Sequence, residues 1–350
     1  MSARSIAIVT DAWMPQVNGV VRTLTTLVDV LRNWGHRVTV ISPASFRSLP
    51  CPTYPEIRLA LASRRAVSAM LDDCTPDAIH IATEGPLGLA ARRHCLRRGV
   101  PFTSAYHTHF PDYLARRTHL PASAFWPYIR WFHRSSAGIM VATESVRAQL
   151  RGQGLTRLHA WSRGVDLANF TPDIAPPDLF LDLPRPIQLY VGRVAVEKNI
   201  EAFLASGHPG SKVVVGDGPA RVRLEATFPE AVFLGTQSGE DLAACYAGAD
   251  VFVFPSKTDT FGLVMIEALA CGTPVAAYPV QGPLDILTPE TGAMDDNLGA
   301  AIASALRHSR ADCVAHGRSF TWEHSALQFL SALACETEPN PALAVAALAA

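Results

Sequence analysis

The chain has 350 residues, 49% hydrophobic and 17% charged, which excludes a disordered polymer and fits two domains of ordinary size. Its net charge of -1 hides a division: residues 1–170 hold 20 arginines against 10 acidic side chains, and residues 171–350 hold 10 basic against 21 acidic. A basic first half points to a polyanion or an anionic membrane, and no RNA-binding motif comes with it, so no nucleic-acid partner is expected.

In chain order, SIAIVTD (5–11) reads as a short strand, VVRTLTTLVDVLRNWGH (20–36) as an amphipathic helix ending at Gly35, and RVTVISP (37–43) as a second strand. DAIHIAT (77–83), PFTSAYH (101–107) and GIMVATE (138–144) follow as buried strands. Residues 163–187 hold five prolines without a clear period and predict an interdomain linker. The alternation then restarts with IQLYVGR (187–193), KVVVGDG (212–218), AVFLGT (231–236), DVFVFPS (250–256) and TPVAAYP (273–279), with helices at 239–249 and 262–272 between them. Strands separated by helices predict an α/β fold of two doubly wound parallel sheets, with ligands in a central cleft facing the carboxyl ends of the strands. The expected domains are 1–168, a linker over 169–186, 187–320, and a C-terminal helix and tail over 321–350 that crosses back to the first domain.

Seven scattered cysteines without a C-x-x-C pair predict a reduced cytoplasmic protein with no structural metal site. MSARSIAIVTDAW offers no signal-peptide core, and no apolar run approaches the roughly 20 residues of a membrane span. There is no G-x-G-x-x-G after the first strand, no P-loop and no nucleophile elbow.

Two segments carry chemistry. In VGRVAVEKN (191–199), Arg193 and Lys198 can converge on one anion if the loop turns into the next helix, which suits a diphosphate. The same spacing fits two solvated surface cations. In SKTDTFGLVMIEALACGTPVAA (256–277), Asp259 falls in the loop before a helix and Glu267 about two turns into it. The amides of Phe261, Gly262, Leu263 and Val264 sit at that helix start, where a phosphate is favoured. Asp259 suits sugar hydroxyls and Glu267 the ribose hydroxyls; a capping Asp and a surface Glu are the plain alternative.

GRVAVEKN paired with TDTFGLVMIEALACGTPV resembles the signature of family 4 of the retaining glycosyltransferases, which have the GT-B fold. PQVNGVVRTL, YHTHFPDY, RGVD, VVGDGP and FTWE extend the likeness from Ile6 to about Phe329. The resemblance implies that Gly192, Arg193 and Lys198 hold the donor diphosphate, that Glu267 holds the ribose, and that Asp259 stands where the family's acidic pair usually begins with Glu. It places His107 beside the transferred sugar, with His109 the weaker substitute. Asn18 and Gly19 fall where the family has Gly-Gly; only Gly19 is kept, which leaves the role of Asn18 open. The reaction implied is metal-independent transfer of a hexosyl unit from a nucleotide-sugar with retention, without a cofactor.

In ARRTHLPASAFWPYIRWFHRS (115–135), Arg116, Arg117, Arg130 and Arg134 interleave with Phe125, Trp126, Tyr128, Trp131 and Phe132. Rings among arginines suit a lipid interface, so Arg116, Arg117, Trp126, Arg130 and Trp131 are expected to meet an anionic membrane, with RRHCLRR (92–98) extending the patch. A partly buried aromatic cluster is the alternative. The likeness to glycosyl-diacylglycerol synthases then implies a lipid acceptor, diacylglycerol foremost, a donor such as UDP-glucose, UDP-glucuronate or UDP-sulfoquinovose, and a peripheral place on the cytoplasmic membrane face. Alternatives are a GDP-mannose-dependent α-mannosyltransferase acting on a lipid or lipid-linked glycan, a nucleotide-sugar epimerase of the same fold, and a nucleotide-sugar-binding scaffold.

Overall fold

The structure is a computed structural model that describes residues 2–16, 18–51, 54–107, 111, 115, 120–259 and 261–334. The chain divides into two compact units, Met1–Ser162 with Trp322–Ala350, and Arg163–Thr321. Residues 163–186, read from sequence as the end of the first domain and a linker, fall in the second unit.

The first unit is built on a six-stranded sheet, all parallel: β1 (Ser5–Val9), β2 (Arg37–Ile41), β5 (Ala78–Ile81), β6 (Thr103–Tyr106), β7 (Gly138–Val141) and β8 (Leu158–Ala160), in spatial order β2-β1-β5-β6-β7-β8. A separate antiparallel ribbon joins β3 (Ser48–Cys51) to β4 (Tyr54–Ala60). Every residue of β1 is buried, so the strand reads as an unbroken apolar run; only a sheet covered on both faces gives that pattern. On one face the helix Gly19–Asn33 buries Leu24, Leu27, Val28 and Leu31, the i, i+3, i+4, i+7 stripe of an amphipathic helix. The helix Trp322–Ala334 adds Phe329, Leu330 and Leu333 to the same core, beside Trp161.

The second unit repeats the plan with β9 (Ile187–Val191), β10 (Ser211–Val215), β11 (Val232–Gly235), β12 (Val251–Phe254), β13 (Val275–Ala277) and β14 (Gly292–Met294), all parallel, in the order β11-β10-β9-β12-β13-β14. The order reverses between β9 and β12, and in the first sheet between β1 and β5. In doubly wound sheets these reversals open crevices at the carboxyl ends of the strands, because successive helices leave for opposite faces.

Among the described residues no helix is long and apolar enough to cross a membrane, and no group of three or more His, Cys, Asp or Glu side chains could hold a metal ion.

Candidate active site

In the second unit the loops after β9 and β12, the two strands at the reversal, carry the residues singled out from sequence. Lys198 ends a short 3-10 turn (Val196–Lys198) and Asp259 lies beyond β12. Lys198 Nζ donates to Asp259 Oδ1 at 2.6 Å, with the side chains 28% and 23% exposed. Asn199 Nδ2 reaches the Pro255 carbonyl at 3.2 Å and ties the two loops a second time.

Arg193 sits on the same loop, half-buried. Tyr190 fixes the backbone there: it is 2% exposed, and its hydroxyl donates to the Arg193 carbonyl at 2.9 Å. Burial, then the charges of Asp259 and Glu197, push that phenol well above its ordinary range. The Gly192 amide bonds the Val215 carbonyl at 2.9 Å. Gly216 then packs so closely that a Cβ would stand 1.9 Å from the Gly192 carbonyl oxygen, at a φ of +132°. The VVGDGP segment is thus the support of the 192–198 loop.

The helix after β12 starts at Leu263, one residue later than the 262–272 read from sequence, because Gly262 precedes it at a φ of +87°. Among the described residues no side chain caps this helix at its start, Leu263 and Val264 included. Phe261 is buried, its ring edge-on to Phe320 at 6.3 Å. Glu267 lies on the same helix but is only 2% exposed, and its Oε2 accepts from the Tyr246 hydroxyl at 3.0 Å. The ribose carboxylate inferred from sequence is therefore an almost covered group.

Two helix starts at the reversal of the first unit are closed by side chains. Asn18 Oδ1 accepts from the amides of Val20 and Val21, each at 3.0 Å, so this residue caps the helix Gly19–Asn33. Asp11, just past β1, does the same across the reversal point. Its Oδ1 accepts from the Leu87 amide at 2.9 Å, and its Oδ2 from the Thr83 hydroxyl at 2.8 Å and the Gly88 amide at 3.4 Å. Burial raises the Asp11 carboxyl above its usual range in spite of those bonds. Gly19 is exposed at the start of its helix. His107 follows β6, part-exposed, its ring edge-on to Trp161 at 5.3 Å. Gly19 and His107 belong to the first unit, the Lys198 and Asp259 loops to the second.

The basic aromatic segment needs correction. Trp126, expected at a membrane, is 8% exposed and stacks on Tyr106 at 6.3 Å. The helix Trp126–Arg134 buries Trp126, Ile129, Phe132 and His133 on its inner face. Arg130 and Arg134 are exposed, and Trp131 is 51% exposed. Arg92, counted from sequence with the basic patch, is buried. It donates to the carbonyls of Phe132 at 3.0 Å and Trp131 at 2.9 Å and to Ser135 Oγ at 3.0 Å, and it covers the Trp131 ring at 3.9 Å. Arg116, Arg117 and His109 lie outside the described residues.

Sequence reasoning passed over Asp11, Tyr190 and Tyr246. Asp11 carried a signal, a polar residue ending an apolar strand; the tyrosines sit inside apolar runs, where nothing separates a hydroxyl with a partner from a packing ring.

Two parallel six-stranded doubly wound units define the class of architecture, the two-domain GT-B fold. The chain aligns with the solved sucrose-phosphate synthase of Thermosynechococcus elongatus at a TM-score of 0.76 and 22% identity, covering 94% of this chain and 98% of that one, a likeness of fold. The profile described as Glycosyltransferase Family 4 matches residues 17–169, and that of Glycosyl transferases group 1 matches 185–312. A GDP-mannose-dependent alpha-mannosyltransferase of Mycobacterium tuberculosis is 32% identical over 335 residues, 89% of this chain and 87% of that protein. An alpha-monoglucosyldiacylglycerol synthase of Streptococcus pneumoniae is 28% identical over 78% of this chain and 70% of its own. The chain belongs to glycosyltransferase family 4 and is a glycosyltransferase.

Proposed function

We propose that the protein moves a hexosyl unit from a nucleoside diphosphate sugar to a hydroxyl of a membrane lipid, with retention at the anomeric carbon. The observation that carries this reading is the Lys198–Asp259 pair at the reversal point, beside the start of the helix Leu263–Ala270, which no described side chain caps. A cation next to open amides suits the diphosphate, and the adjoining carboxylate suits the hydroxyls of the sugar. The first unit turns its own side chains into the corresponding helix starts, which leaves the second as the unit suited to the anion.

In this reading Arg193, Lys198, the Gly192 loop and the amides of 261–264 stabilise the charge that grows on the leaving diphosphate, the electrostatic contribution expected to dominate. The bond from the anomeric carbon to the diphosphate oxygen breaks with its electron pair going to that oxygen. The acceptor oxygen bonds the same carbon from the same face, and its proton passes to the leaving diphosphate. His107 and Gly19 are assigned to the sugar and acceptor side, Asp259 to the sugar hydroxyls and Glu267 to the ribose. The two side-chain cations take the place of a metal ion, and no cofactor is required.

For the donor, the relative matching most of the chain favours GDP-mannose over the UDP-glucose or UDP-glucuronate favoured from sequence. Transfer of glucose to diacylglycerol is the second reading, supported by the streptococcal relative. Arg130, Trp131 and Arg134 form the exposed face through which a peripheral, cytoplasmic-side association with anionic lipid would act. Purified protein incubated with radiolabelled GDP-mannose or UDP-glucose and membrane lipid, with and without chelator, tests all of this. Label entering the organic phase identifies donor and acceptor class together. Label from either donor that never enters the organic phase, and appears instead as epimer or free sugar, rejects the lipid-acceptor reading.

A further inference from the structure

The helix Gly239–Gly248 carries a buried polar group that the reaction above does not use. Tyr246 is fully buried, and its hydroxyl is the donor to Glu267. Covering an ionised carboxylate is costly unless donors meet it, so this bond is part of what allows Glu267 to lie where it does. The tyrosine is itself held on several sides. Its carbonyl accepts from Thr273 Oγ1 at 2.6 Å, and its ring meets Phe170 and Phe252 edge-on at 5.9 and 5.6 Å. Arg310 donates to the carbonyls of Ala247 at 2.6 Å and Ala249 at 2.8 Å and pins the end of the same helix. A ring packed this way cannot swing, so its hydroxyl is a fixed point from which the Glu267 carboxylate takes its orientation.

We infer that Tyr246 is a positioning residue for the nucleotide: it holds the Glu267 carboxylate in the rotamer that receives the ribose hydroxyls. This rests on the assignment of Glu267 to the ribose. A site whose buried polar group is matched to a hydroxyl discriminates strongly against a ligand that lacks it, and that selectivity depends on the orientation of the group.

The test is calorimetric titration of the wild type, Tyr246→Phe and Glu267→Gln with GDP, UDP and their 2′,3′-dideoxy counterparts. The wild type is expected to prefer the ribo form. Tyr246→Phe keeps the ring, and it should lose about tenfold or more in affinity for the ribo form, the scale of a hydrogen bond to a charged group. Its affinity for the dideoxy form should change by no more than about twofold, since that ligand never used the carboxylate. Equal losses for both ligands, or no loss, overturn the inference. If Glu267→Gln keeps the full ribo preference, the ribose assignment itself falls, whatever Tyr246 does. Should the phenylalanine variant not fold, a crystal structure of the wild type with bound nucleotide decides. Glu267 bonded at once to Tyr246 and to the ribose upholds the inference, and Glu267 on the ribose with Tyr246 turned away refutes it.

Discussion

Lys198→Ala should separate activity from stability. The Lys198–Asp259 pair is close, at 2.6 Å, but both side chains keep about a quarter of their surface in solvent. An ion pair so exposed contributes at most about 1 kcal/mol to folding, which for a unit the size of Arg163–Thr321 moves the melting midpoint by about 2–4 °C. If Lys198 also stabilises charge on the departing diphosphate, losing it should cost about 3–4 kcal/mol in the transition state, a fall of roughly 10²–10³ in turnover. Scanning calorimetry and a donor-saturated transfer assay on one preparation measure both quantities. A variant with near-normal turnover, or one whose lost activity is accounted for by unfolded protein, would refute the placement of the diphosphate at this loop.

Three further outcomes are expected. Asn18→Ala should cost about 1 kcal/mol by leaving the amides of Val20 and Val21 uncapped, and Asn18→Gly only a few tenths, both read by urea unfolding. Equal costs would show that capping is not the role of Asn18. Burial first, then neighbouring cations (Arg4, Arg98 and Arg147 respectively), hold His36, His94 and His159 below the ordinary histidine range; Asp72 opposes this at His94. A native state that binds fewer protons than the unfolded chain keeps its stability above the unfolded value of 6.5 and loses it as pH falls through that value. Melting midpoints should therefore be lower at about pH 5.5 than at about pH 7.5, and His94→Gln should narrow that gap; an unchanged gap counts against the burial argument. Reversing two exposed charges, Arg130→Glu with Arg134→Glu, should weaken flotation with anionic vesicles by roughly tenfold or more, at about 1 kcal/mol per surface cation. Binding that ignores both the substitutions and added salt would remove this face as the lipid contact.

Much of the architecture was legible because a parallel sheet buried on both faces writes its strands as nearly continuous apolar runs; β1, β9 and β12 were read in place, each two residues or so too long. What escaped was short or peripheral. β14 is the three residues Gly292–Met294, β8 ends in an exposed alanine, and the β3–β4 ribbon stands outside either sheet. The loops bearing Arg193, Lys198 and Asp259 were legible because charged residues beside glycines interrupt apolar strands. The Tyr246–Glu267 bond was not, since it joins two helices whose packing no local pattern encodes. Trp126 was misread for a related reason. Composition marked the segment as basic and aromatic, but only helical spacing sets 126, 129, 132 and 133 inward and 130, 131 and 134 outward.

The return of the helix Trp322–Ala334 to the first unit has a consequence for synthesis. Residues of the first core are made on either side of the second unit, Leu24 before Arg163–Thr321 and Phe329 after it. On the ribosome the inserted unit can complete its sheet while its host still shows an open apolar flank, and the helix Trp322–Ala334, made after it, is the one that shuts it. Chaperone demand should thus fall on the interrupted unit and not on the one inserted into it.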